Sequence, residues 1–240
     1  MRMTRAWVRV AAVLPLVLVL SACSAGPGDN LAATPPHPLA LTASSGTRPS
    51  GNTADHLAAA QAALDKNDLA SAEREFRNAV ALDQGSARAQ LGLGNVYVRQ
   101  NRLQEAETAY KAALALDPAL TAGHANLGVV YYQMGQLPQA ADALSAALRI
   151  EPNDGQTLYL LAAVRLQQQD LPAAEKLLFQ ARDAKPDLPE VYYGLGVLYR
   201  LKNQKQDAID AFQKFLSIGP GQDPSAMDYA RAELKSLQGQ

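Results

Sequence analysis

The chain has 240 residues, with 22 Lys and Arg against 23 Asp and Glu, three His and a single Cys. No basic excess favours nucleic acid, and one cysteine allows neither an internal disulfide nor a cysteine-rich metal site. With 48% hydrophobic residues the chain can still bury an apolar core.

Residues 1–9 carry Arg2, Arg5 and Arg9 and no acid. An apolar run from Val10 to Leu20 follows, broken only by Pro15, and ends at Ser21 and Ala22. A positive start, a short apolar run and small residues are the three parts of an export signal. The run has about half the roughly 20 apolar residues that spanning a bilayer requires. Leu20-Ser21-Ala22-Cys23 resembles the lipobox of bacterial lipoproteins, in which the cysteine is acylated and becomes the new amino terminus. The resemblance implies a lipid on Cys23, cleavage after residue 22 and anchoring without a spanning helix. Ser24, in place of the Asp that retains enterobacterial lipoproteins at the inner membrane, implies the outer membrane, facing the periplasm.

Residues 1–22 hold three of the basic side chains and no acid, so residues 23–240 carry 19 basic against 23 acidic side chains, a net charge of −4. Residues 24–52 are rich in Pro, Gly, Ser, Thr and Ala and lack apolar periodicity. They read as a flexible tether, and 29 such residues would span about 30 Å.

From Thr53 the sequence repeats every 34 residues: 53–86, 87–120, 121–154, 155–188 and 189–222. Position 8 is Gly94, Gly128, Ala162 and Gly196 in repeats two to five, where a minimal side chain lets two helices approach. Position 20 is Ala72, Ala106, Ala140, Ala174 and Ala208, read as the facing half of that contact. Position 24 is Phe76, Tyr110, Leu144, Leu178 and Phe212, bulky enough to fill the space between neighbouring repeats. Position 27 is Ala79, Ala113, Ala147 and Ala181, then Phe215. Position 32 is Pro118, Pro152, Pro186 and Pro220, which end each second helix because proline cannot continue it. Repeat one departs from the pattern at Ala59, Ala60, Ala63 and Gln84, as terminal repeats often do.

This period and pattern resemble tetratricopeptide repeats (TPRs). The resemblance implies an all-α fold, a right-handed superhelical solenoid of five helix-turn-helix repeats. Residues 223–240 add a capping helix and tail: Asp223 supplies a cap, Pro224 suits the first turn, and Met227, Ala230, Leu234 and Leu237 share a face. Eleven helices are predicted.

No reaction chemistry assembles along this frame. His37 falls in the tether, His56 in the atypical first repeat, and His124 at position 4 of repeat three, a packing position. Gly92-x-Gly94 and Gly194-x-Gly196 follow no strand and lack a third glycine, so packing explains them better than phosphate binding. The expectation is a binding protein, not an enzyme, with no cofactor and no metal.

In TPR proteins ligands usually lie along the concave wall of first helices, at positions 2, 5, 9, 12 and 13. Here the resemblance assigns Arg88, Leu91, Asn95, Val98 and Arg99 in repeat two. It assigns Val129 and Tyr132 in repeat three, Tyr159 and Leu166 in repeat four, and Tyr193, Val197 and Arg200 in repeat five, with Glu190 at position 2. Asn95 and Asn126 match the asparagines of the family's carboxylate clamp, but Leu91, Gln156 and Leu160 stand where its basic residues belong. A clamp without cations would hold a carboxylate poorly. An amphipathic helix or an extended apolar segment fits this wall better. Tyr159 and Tyr193 remain readable in two ways, as ligand contacts or as core between repeats.

The order of signal, lipobox, tether and repeats is similar to Tad/Flp pilus assembly lipoproteins and type IV pilotins. That likeness implies an envelope protein as partner, a secretin or pilus component. The alternatives are an adaptor that recruits cell-wall hydrolases and, more distantly, an enzyme.

Overall fold

The computed structural model describes residues 51–218 and 223–239; the signal segment, Cys23, the tether up to residue 50, and Pro220 lie outside the described residues. Among the described residues there are eleven α-helices and no strand. Five pairs follow one another: α1 Thr53–Asp65 with α2 Leu69–Leu82, α3 Ala87–Arg99 with α4 Leu103–Leu116, α5 Thr121–Gln133 with α6 Leu137–Ile150, α7 Gly155–Gln167 with α8 Leu171–Ala184, and α9 Pro189–Leu201 with α10 Lys205–Ile218. A last helix, α11, runs Pro224–Gln238. First helices thus start 34 residues apart.

The local chemistry explains the boundaries. Asn52, Asp68, Ser86, Asp154, Asp170 and Asp223 each accept a hydrogen bond from a backbone N–H of the turn they open, satisfying a donor with no helical partner. Each first helix ends in the same turn. Asn67, Asn101, Gly135, Gln169 and Asn203 take positive φ between 57° and 73°. The next residue's N–H reaches back to the carbonyl five before it, as in Asp68 N to Ala63 O and Arg102 N to Tyr97 O, both 2.8 Å. This is the Schellman arrangement, with a left-handed residue after the helix. Asparagine and glycine take that conformation readily, while glutamine, at Gln169, takes it at a cost. Gln169→Asn is therefore expected to stabilise the chain by up to about 1 kcal/mol, read as a higher denaturation midpoint; an unchanged or lower midpoint would show no strain at Gln169.

Small residues set the helix spacing. All five position-20 alanines are fully buried. The side chain that rests on the position-8 glycine, however, is position 24 of the same repeat. A Cβ on Gly94 would stand 2.4 Å from Tyr110 Cε1, one on Gly128 2.6 Å from Leu144 Cγ, and one on Gly196 2.6 Å from Phe212 Cδ1. The position-20 alanine contributes its backbone, since the Ala140 carbonyl oxygen lies 3.3 Å from the same point on Gly128. Position 24 also reaches the following repeat: Phe76 meets Gly92 and Leu178 meets Gly194. One side chain per repeat thus joins both helices of its own repeat to the next, so the core is continuous along the stack.

Helix α11 closes the end of the stack. Ala226 and Ala230 are buried, while Met227, Tyr229, Leu234 and Leu237 pack partly buried against the core. The Tyr229 ring stands 6.1 Å from Phe212 and 5.9 Å from Tyr193, both edge-on. No helix of the described residues is long and apolar enough to cross a membrane.

Candidate partner-binding groove

The wall of first helices divides into two unlike halves. In repeats two and three, Arg88 and Arg99 are exposed, and Leu91, Asn95, Asn126, Val129 and Tyr132 are half-buried; only Val98 of this group is buried. In repeats four and five, Tyr159, Leu166, Tyr193 and Val197 are all buried, and Arg200 is half-buried.

Polar contacts hold the first half. Asn95 Oδ1 accepts from the Tyr110 hydroxyl at 2.7 Å and from Asn126 Nδ2 at 2.9 Å, tying α3, α4 and α5 together. Tyr110 is fully buried, and that burial pushes its hydroxyl pKa far up, so it stays a neutral donor. Arg99 is engaged within the chain: Nη2 donates to Asn67 Oδ1 at 2.8 Å and Nη1 to Leu64 O at 3.3 Å, capping the end of α1. Burial holds Tyr132 up at about 12.

Aromatic packing closes the second half. Tyr193 lies 5.4 Å from Phe215, 6.2 Å from Phe212 and 5.9 Å from Tyr229, all edge-to-face. Of the two readings left open for it, core is the one its 2% exposure describes. The rings of Phe212 and Phe215 on α10 cover it together with Tyr229 on α11, which also brings Glu233 Oε2 to 3.7 Å from Arg200 Nε. Tyr159, 4% exposed, packs its ring over Gly194 on α9. Helices α7 and α9 touch directly, as α3 and α5 do. Leu166 and Val197 are likewise inside the stack. Of the candidate residues, those left accessible are therefore the ones from Arg88 to Tyr132 other than Val98, and Arg200.

Histidine serves local structure. His124 Nε2 is 3.0 Å from the Pro118 carbonyl oxygen, and the Tyr192 hydroxyl donates to the Pro186 carbonyl at 2.8 Å, the same device one position-4 residue uses in two repeats. His56 Nδ1 lies 2.7 Å from Glu75 Oε2 across α1 and α2. Among the described residues, no three His, Cys, Asp or Glu side chains converge as a metal site would require. The Gly92 and Gly194 backbones are covered by Phe76 and Leu178, which is packing and not a phosphate cradle.

The geometry shows helix pairs of 34 residues, glycines packed under position-24 side chains at a fixed register and a repeated left-handed turn. A TPR family model matches residues 94–135, and two tetratricopeptide-repeat models match 131–198 and 190–218, running without a break from 94 to 218. These are tetratricopeptide repeats. Solved structures share the fold. MamA residues 41 to the end from Desulfovibrio magneticus RS-1 is 20% identical, covering 70% of this chain and 96% of that one, with a TM-score of 0.63. Pseudomonas aeruginosa pilF is 19% identical over 77% of this chain and 88% of that one, at 0.66. YrrB, described as a TPR protein with an unusual peptide-binding site, is 23% identical over 75% and 92%, at 0.59. A search of curated proteins found no matching sequence. Tetratricopeptide repeats form scaffolds, typically non-catalytic, on which peptide or protein partners bind.

Proposed function

We propose that the chain is a lipoprotein held at Cys23 in the outer membrane, displaying its TPR stack in the periplasm as a binding scaffold for an envelope protein. The carrying observation is the position of Cys23: it follows Leu20-Ser21-Ala22 at the end of a signal-like run and precedes a Pro- and Gly-rich stretch and the repeats. Two or more acyl chains give stable anchoring where one is marginal. The pathway we propose is assembly of a pilus or secretion system of the Tad/Flp or type IV kind, with a secretin or pilus component as partner. The shared fold with Pseudomonas aeruginosa pilF supports this reading. The accessible wall from Arg88 to Tyr132 suits an apolar segment with a few polar ties, since Leu91 and Val129 flank Asn95 and Asn126.

Labelled fatty acid fed to cells is expected to enter the chain and to be lost in Cys23→Ala, with the protein leaving the outer-membrane fraction. Undiminished labelling, or an unchanged fractionation pattern, would overturn the anchor.

A further inference from the structure

Polar side chains tie most repeats to the next. Between repeats one and two, Arg102 Nη1 donates to Glu73 Oε2 at 2.9 Å and its guanidinium lies 4.4 Å over the Tyr97 ring. Arg77 Nη2 donates to the Tyr97 hydroxyl at 3.1 Å. Between repeats two and three, the Tyr131 hydroxyl donates to Glu107 Oε1 at 3.3 Å, and Asn126 Nδ2 donates to Asn95 Oδ1 at 2.9 Å. Between repeats four and five, Lys202 Nζ donates to Glu175 Oε1 at 2.7 Å. Glu73, Glu107 and Glu175 all hold position 21.

Between repeats three and four each member of this pattern is replaced. Position 21 is Ala141, and position 25, Arg77 and Lys111 in the earlier repeats, is Ser145. Position 11, a tyrosine at 97, 131 and 199, is Arg165, whose Nη1 turns to Gln168 Oε1 at the end of its own helix, 2.9 Å away. Where Asn95 meets Asn126, the corresponding residues are Val129 and Leu160. Helices α6 and α7 pack against each other. Among the described residues, however, the one side-chain hydrogen-bonding link between these repeats is Asp154 capping the first turn of α7, within the connecting chain itself. Tyr132 acts on Tyr159 electrostatically, without a hydrogen bond.

This joint is therefore held by apolar burial. Burial has no preferred direction and survives a small slide as long as the area stays covered. A hydrogen bond is lost once its length and alignment go, and a satisfied polar network stiffens what it joins. Sliding of packed helices is the shear form of domain motion. We infer that the chain is two stiff blocks, residues 53–154 and 155–238, that turn against each other at the α6–α7 joint. The joint falls where the first-helix wall passes from its open half to its buried half, so the turn changes the angle between them. The inference does not depend on what the wall binds.

The test is pulsed electron spin resonance on the full chain, with labels carried by non-natural residues so that Cys23 is untouched. Position 22 (Arg74, Thr108, Asp142, Lys176 and Asp210) is exposed on every second helix, so labels there add a similar spread of their own. Helix α4 stands two to three layers from the joint, roughly 25 Å at about 8–10 Å per layer, so a turn of about 10° carries a label there by roughly 4 Å. The pairs Thr108 with Lys176 and Asp142 with Asp210 span the joint. Their distance distributions should be several ångströms broader than that of Arg74 with Asp142, which lies within the first block. Glu73→Ala with Glu107→Ala copies Ala141 into that block and should broaden its pair as well. Equal widths for all three pairs overturn the inference, as does a first-block width that the two substitutions leave unchanged. Loss of helix content in that variant, read by circular dichroism, overturns it too, by showing that the glutamates hold the fold and not the register.

Discussion

Tyr193→Ala is expected to lower the unfolding free energy by about 3–5 kcal/mol, the range for deleting a large buried aromatic ring. The ring is 2% exposed and touches Phe212, Phe215 and Tyr229 edge-on, so three aromatic side chains lose their common neighbour. Because each repeat of a solenoid contacts only its neighbours, the loss should be local. Amides of α9, α10 and α11 should lose hydrogen-exchange protection first, while α3 to α6 keep theirs. A loss below about 1 kcal/mol, typical of a surface site, would return Tyr193 to the wall as a contact residue.

Gly94→Val is the second substitution with a large expected effect, about 3 kcal/mol, at the upper end for overpacking. The added Cβ would stand 2.4 Å from Tyr110 Cε1 and 2.6 Å from its Cδ1. Tyr110 cannot swing away, since it is fully buried and its hydroxyl is tied to Asn95 at 2.7 Å. Valine is chosen because alanine would regain roughly 1 kcal/mol of helix propensity and mask part of the clash. Denaturant unfolding of Gly94→Val, Tyr110→Ala and the double variant measures the coupling. A double variant distinctly more stable than the two losses added together is the expected result; simple additivity would place the cost elsewhere than in the ring contact.

Most of the fold was legible because the repeat places residues with a physical duty at fixed intervals. Glycine or alanine at position 8, alanine at 20, bulk at 24 and proline at 32 announce the helix pairs before any coordinate is known. What the pattern could not tell was which partner each small residue faces. Positions 20 and 24 lie one helical turn apart on the same face, so either could have met the position-8 glycine, and the position-24 side chain does. The left-handed turn could have been read from Asn67, Asn101, Gly135 and Asn203 falling in register, with Gln169 as the exception.

The candidate wall was legible only in part. Family positions pick out residues that point towards the concave side, but exposure depends on which side chains of other helices lie over them. Leu91 and Val129 stay half-open. Tyr193 holds position 5, as Leu91 does, yet α11 brings Tyr229 onto it. Tyr159 is closed off because Gly194 on the next first helix leaves room for its ring. In each case one covering neighbour, Tyr229 or the helix carrying Gly194, lies outside the repeat that holds the residue, which no single-repeat pattern encodes. Glu190 stood on the wall by its position, but its shielding and its unpartnered oxygen are visible only in three dimensions.

The central claim is that the open half of the first-helix wall holds an envelope protein. Photocrosslinking in living cells tests it most directly, with a photoreactive residue placed in turn at Leu91, at Val129 and at Leu116. Leu116 is a 43% exposed leucine on the second helix α4 and serves as the control. The account predicts one adduct of the same size from Leu91 and Val129 and none from Leu116. A secretin or pilus subunit in that adduct supports the assembly role, and a cell-wall hydrolase would replace it. Adducts of equal yield from Leu116, or none from the wall, would contradict the account.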